Sequence, residues 1–235
     1  MFRQRARANL PTVLLTLASI IQAVALEMYW NRIADNEAMW ALSYDALLGW
    51  LLAVAVLCGI LLLWVYYAQL VMRFVWVPEI EDSLLPFGFG LLEFALIEFM
   101  DTAHIPIWFA IYGSVFLFAG WASYSTFTRA QRDPENRWFF TSGGINRRAL
   151  LGPTIIAALL LWGFGLLCWV LGPPAHLILL PVTIAVTLQQ LYKQHLHWRA
   201  SLSLEDNYLA AAGNRASAES PHPQPAAEGR SDQSG

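Results

Sequence analysis

Charge is scarce in this chain: 13% of its 235 residues are Asp, Glu, Lys or Arg, while 57% are hydrophobic. A soluble domain of this length carries about a quarter charged residues, so the composition excludes an ordinary soluble globule. Lysine is nearly missing, with Lys193 alone beside thirteen arginines, a bias that fits a GC-rich bacterial genome. Cysteine is limited to Cys58 and Cys168, both inside apolar runs, where they read as small packing groups rather than as a disulfide or metal site. The net charge of -3 is too small to speak for a nucleic acid or an acidic partner. Also missing are a G-x-S-x-G elbow, an H-E-x-x-H pair, a paired-histidine haem arrangement and a nucleotide loop. The chain therefore implies no cofactor, and its inventory for catalysis is poor.

Long apolar runs are what is there. Six stretches, 10–30, 44–70, 84–100, 105–127, 149–171 and 175–192, approach the roughly 20 residues a helix needs to cross ~30 Å of hydrocarbon. Lipid cannot satisfy an open strand, so each run is expected as a helix. The expected fold is all-α: a polytopic bundle of six transmembrane helices over residues 1–200, followed by a disordered tail at 201–235. From Ser201 onward the chain gains Pro, Ser, Gly and charge, too little apolar surface to offset its ordering entropy.

Basic residues orient this bundle. Arg3, Arg5, Arg7, Arg73, Arg129, Arg132, Arg137, Arg147, Arg148, Lys193 and Arg199 fall on one side of the alternating runs, and Arg32 on the other. Cytoplasmic loops are the ones enriched in Arg and Lys, so both termini are expected in the cytoplasm of a cell inner (plasma) membrane. Tyr29, Trp30, Trp40, Tyr44, Trp108 and Trp169 then fall near the outer boundary, and Tyr66, Tyr67, Tyr124, Tyr192 and Trp198 near the inner one, as interfacial belts. The opening "MFRQRARANL" and Ala23-Val24-Ala25 resemble a cleavable leader, but the apolar run continues to Trp30, which suits a span better.

The stretch "LLEFALIEFMDTAH" carries acids where a span should be apolar. Glu93 falls near mid-membrane, where an ionised acid costs roughly 2.5–3.5 kcal/mol on insertion scales. It should therefore face the bundle interior or a water-filled cavity, or stay protonated. Gln22, at matching depth in the first run, is the best partner, because an amide both donates and accepts. Glu98 and Asp101 lie about 60° apart on one helix face, near the outer headgroups, and Glu27 ends the first span. Together with Asp35, Glu37 and Asp45 they make the outer side acidic. Asp101, His104 and His176 form a thin candidate for one metal ion. Gly113 and Gly120, seven apart, point to close helix approach. Pro11, Pro86, Pro106, Pro153 and Pro181 are expected mostly in first turns, with local breaks as the alternative for Pro86 and Pro181. The loop containing Ser142-Gly143-Gly144 lacks a full phosphate-cradling pattern, and its arginines are expected at lipid headgroups.

Beside an intramembrane enzyme, for which the residue inventory is poor, two functions remain in view. One is a small transporter or channel for a proton, cation or small polar solute, with Glu93 as its central group, Gln22 as its partner, and Glu27, Glu98 and Asp101 at its mouth. The other is a non-catalytic membrane subunit or scaffold. The expected partners are the lipid bilayer and a protein partner or second copy of the chain.

Overall fold

The computed structural model describes residues 2–76, 79–142 and 147–219; of 2–7, 142, 147–150 and 211–219 only the backbone is described. The six apolar runs fold as six long helices: α1 (Phe2–Ala34), α2 (Tyr44–Arg73), α3 (Ile80–Glu98), α4 (Ile105–Ala130), α6 (Arg147–Leu171) and α7 (Pro173–Glu219). A short helix, α5 (Arg137–Ser142), lies between α4 and α6, and no strand occurs among the described residues. By length and composition α1, α2, α4, α6 and α7 can each cross a membrane. The chain is thus a multi-pass membrane protein. Helix α3 is shorter and carries four acids, Glu81, Asp82, Glu93 and Glu98, among its 19 residues.

Local chemistry sets the helix ends. The Ser43 hydroxyl accepts from the Ala46 N–H and opens α2. Glu79 and Asp82 form a reciprocal capping box that opens α3. Asp101 Oδ1 accepts from the backbone N–H groups of Ala103 and His104, just ahead of α4. Gly172, at φ 70°, makes the left-handed turn between α6 and α7.

Successive long helices alternate in direction. At one end Arg32 of α1 reaches the C-terminus of α3, and Tyr44 of α2 donates to the Pro173 carbonyl at the start of α7. At the other, Gln69 of α2 meets Gln194 of α7, and Arg129 of α4 meets the start of α3. We call these the acidic and the basic end. Helix α1 packs on α3, α4 on α6, and α2 on α7, with α3 against α4 and α1 against α2 closing the bundle. Helices α2 and α4 are the most enclosed. Lipid tails are as apolar as leucine, so close packing rather than water exclusion holds such helices together. The glycines show where: added Cβ atoms at Gly113 and Gly120 of α4 would meet Trp162 and Thr154 of α6 at 2.6 and 2.5 Å.

Several expectations change. Trp108 is wholly buried and Tyr67 is 4% exposed, so neither belongs to an interfacial belt. Tyr66 donates to the Ala119 carbonyl across the bundle. Of those five prolines only Pro106 begins its helix; Pro11, Pro86, Pro153 and Pro181 sit inside helices that continue through them. Helix α7 runs past Ser201 to Glu219, because Leu202, Leu204, Glu205 and Leu209–Ala212 are strong helix formers and Tyr208 stacks on Trp138 of α5. Residues 220–235 of the expected tail lie outside the described residues, as do Gly143, Gly144 and the side chains of Arg3, Arg5, Arg7, Arg147 and Arg148.

Candidate site around Glu93 and Gln22

One stripe of α3 is buried: Asp82, Leu85, Pro86, Phe89, Gly90, Glu93, Leu96 and Ile97. That spacing keeps one helical face turned inward, and its two acids, eleven residues apart, stand about 20° apart and roughly 16 Å along the axis. Gly90 lies one turn below Glu93. A Cβ there would sit 2.5 Å from Ile21 Cγ2, so the missing side chain is what lets α1 approach α3 so closely. The next residue of α1 is Gln22.

Gln22 Nε2 donates to both carboxylate oxygens of Glu93, at 2.6 and 2.7 Å. Glu93 is 0% exposed, and among the described residues no basic side chain pairs with it. Gln22 Oε1 is buried without a hydrogen-bond partner. A carboxyl group so placed can hold or release a proton, and the amide can answer either state by presenting its donor or its acceptor. The space beside Gln22 is small: a recess of about 10 Å³ lined by Ala18, Ile21, Gln22, Leu63, Trp64, Tyr67, Pro86 and Phe89, which Glu93 does not line. A larger cleft of about 90 Å³ lies between α2, α4, α6 and α7, beside Tyr66, Tyr112, Gln190 and Gln194, and Glu93 does not line it. There the Tyr112 hydroxyl bonds Thr187 Oγ1 at 2.9 Å.

The other candidates are arranged differently. Glu27 and Glu98 are exposed. Asp101 Oδ2 lies 2.6 Å from His104 Nδ1 and 3.8 Å from Arg32 Nη2, while Arg32 donates to the Glu98 carbonyl. Asp101 therefore shapes the turn into α4 and pairs with its neighbours His104 and Arg32. His176 is buried near the start of α7 beside the Cys168 backbone, away from that turn. No group of three His, Cys, Asp or Glu able to hold a metal occurs among the described residues, so Asp101, His104 and His176 do not converge.

A second polar cluster, at the basic end, was not expected. Arg129 is 9% exposed, with Asp82 Oδ1 at 2.7 Å, Glu79 Oε2 at 3.1 Å and Glu81 Oε2 at 3.7 Å. Asp82, wholly buried, also accepts from Trp76 Nε1 and from the Glu79 N–H. Asn136 ties the end of α4 to the segment that follows α2, accepting from the Val75 N–H and donating to the carbonyl of Ala130. The arginine expected at lipid headgroups is thus an internal clamp between α3 and α4. Glu79-x-x-Asp82 is a helix-start pattern visible in the sequence, but nothing local links it to a residue 47 positions beyond Asp82.

No protein-family model matches this chain, and neither does any curated protein or solved structure.

Proposed function

We propose that this multi-pass membrane protein is a small transporter or channel, moving protons, cations or a small polar solute with Glu93 as its protonatable centre and Gln22 as the partner of that group. In this reading all six long helices cross an inner (plasma) membrane, the basic end and both termini are cytoplasmic, and Glu27, Glu98 and Asp101 face the outside. One observation carries it: a wholly buried carboxyl group on α3 that receives two hydrogen bonds from a neutral amide of α1. A structural bridge between helices needs no ionisable group, and an acid at that depth costs several times the ~0.6 kcal/mol that an average interhelical hydrogen bond returns in membranes. The recess beside Gln22 is too narrow for a solute, and in this reading the conformation is an occluded one.

The test is flux through proteoliposomes under proton and cation gradients. The native chain is expected to conduct, and Glu93→Gln, which keeps shape and hydrogen bonding, to keep its elution profile and fall to the rate of empty vesicles. The same enclosure favours a second reading, a non-catalytic subunit whose polar pair only locks α1 to α3. Full flux in Glu93→Gln, or no flux in the native chain together with a stoichiometric co-purifying partner, would establish that instead.

A further inference from the structure

The recess between α1, α2 and α3 is bounded by two side chains whose polar atoms are buried and unpartnered: Gln22 Oε1 and the Tyr67 hydroxyl. Unsatisfied buried polar atoms are rare because each forfeits its hydration for nothing. Its volume, about 10 Å³, is that of one water molecule by the same measure, and its remaining lining is apolar apart from the Trp64 indole. One water needs two to four polar partners. These two atoms are of the right kind, an acceptor and a hydroxyl that both donates and accepts.

We propose that this recess is a site for one ordered water that joins Tyr67 to the Gln22 amide, which makes Tyr67 a positioning residue for the Glu93 carboxyl group. With Glu93 ionised, Nε2 of Gln22 donates to the carboxylate, the water donates to Oε1, and the Tyr67 O–H donates to the water. Every donor in that chain points toward the charge, and each bond strengthens the next. With Glu93 protonated, the acid O–H needs an acceptor, and a half-turn of the amide supplies Oε1. Nε2 then donates to the water, which donates to the Tyr67 oxygen. Amide, water and hydroxyl can all reverse, so the triad accommodates either state of Glu93 without moving a helix. Tyr67 is held for this role: it is 4% exposed, its ring packs edge-on to Phe89 at 5.9 Å, and Phe89 sits one turn below Glu93 on the same stripe. The charged groups nearest along that stripe are Asp82 and its clamp Arg129, at the basic end.

The site deepens the reading of Glu93 as the working group, and its test reads the water itself. The full chain in lipid nanodiscs is measured by infrared difference spectroscopy in H₂¹⁶O and H₂¹⁸O. The expected result is a narrow, isotope-shifted O–H stretching band in the native protein, lost in Tyr67→Phe, with a shift of the Glu93 carboxyl band identified by its absence in Glu93→Gln. Tyr67→Phe keeps the ring against Phe89; should it nevertheless misfold, Gln22→Leu is expected to lose the same band. No isotope-sensitive band in the native chain, or a band untouched in a folded variant, would overturn the site. Flux decides the transport reading separately: loss in Glu93→Gln with no water band would leave transport standing and remove only the water.

Discussion

Arg129 ends α4 with 9% of its side chain exposed and the wholly buried Asp82 at 2.7 Å. Its other partners, Glu79 and Glu81, are 54% and 60% exposed, so solvent screens them and their contribution is small. Removing the partner of a buried charge costs far more than the pair itself is worth. Arg129→Met is accordingly expected to destabilise the fold by about 3–5 kcal/mol, read as detergent-phase thermal or denaturant unfolding. Arg132→Ala, three residues on and exposed, should stay within about 0.5 kcal/mol. Equal effects would mean that Arg129 is an ordinary loop arginine. At this scale Glu93 was legible, because a charge amid leucines is costly wherever the helix turns. Gln22 was legible as the polar residue at its depth. Arg129 was not, since an arginine at a helix end can reach headgroups or a neighbouring helix, and hydropathy is the same in both cases.

The pairing of whole helices rests on small residues. Gly90 of α3 faces Ile21 of α1, and an added Cβ would lie 2.5 Å from Ile21 Cγ2, on a β-branched side chain that has little room to turn. Gly90→Ala is therefore expected to cost about 1–3 kcal/mol by overpacking. Ile21→Ala in the same chain should recover part of that loss, a coupling that a double-mutant cycle measures. Gly163→Ala on α6, where nothing lies within 4 Å, is the control and should be neutral or slightly stabilising. The sequence showed that Gly113 and Gly120 share a face, yet not that the face receives Trp162 and Thr154. Helix ends were harder still. α7 extends to Glu219 because local propensity kept it helical beyond the last apolar run, a region whose composition reads as unstructured.

For the molecule as a whole, the alternation of six long helices separates an end rich in arginine from an end with Glu27, Asp35, Glu37 and Asp101. A proposed orientation follows from the bias of basic loops toward the cytoplasm. In a cysteine-free background, Glu37→Cys should react with a membrane-impermeant maleimide in intact cells, and Ser203→Cys only after permeabilisation. Both positions are exposed, so access decides the result. Labelling of both from the same side would break the alternation. Labelling of Ser203→Cys alone in intact cells would invert the orientation.

By itself the sequence determined the helical class, the approximate bounds of six long helices, and the presence of Glu93 and Gln22 as polar residues within apolar helices. These follow from quantities that add up along the chain: apolar length against bilayer thickness, and residues per turn. Only the tertiary structure decided that α1 lies on α3 with the two polar residues in register, that Tyr67 and Trp108 turn inward, and that Asp82 meets Arg129. The reason is physical. In a bilayer an apolar face is equally at home against lipid or against another helix, so hydropathy says that a helix crosses but not which side of it packs.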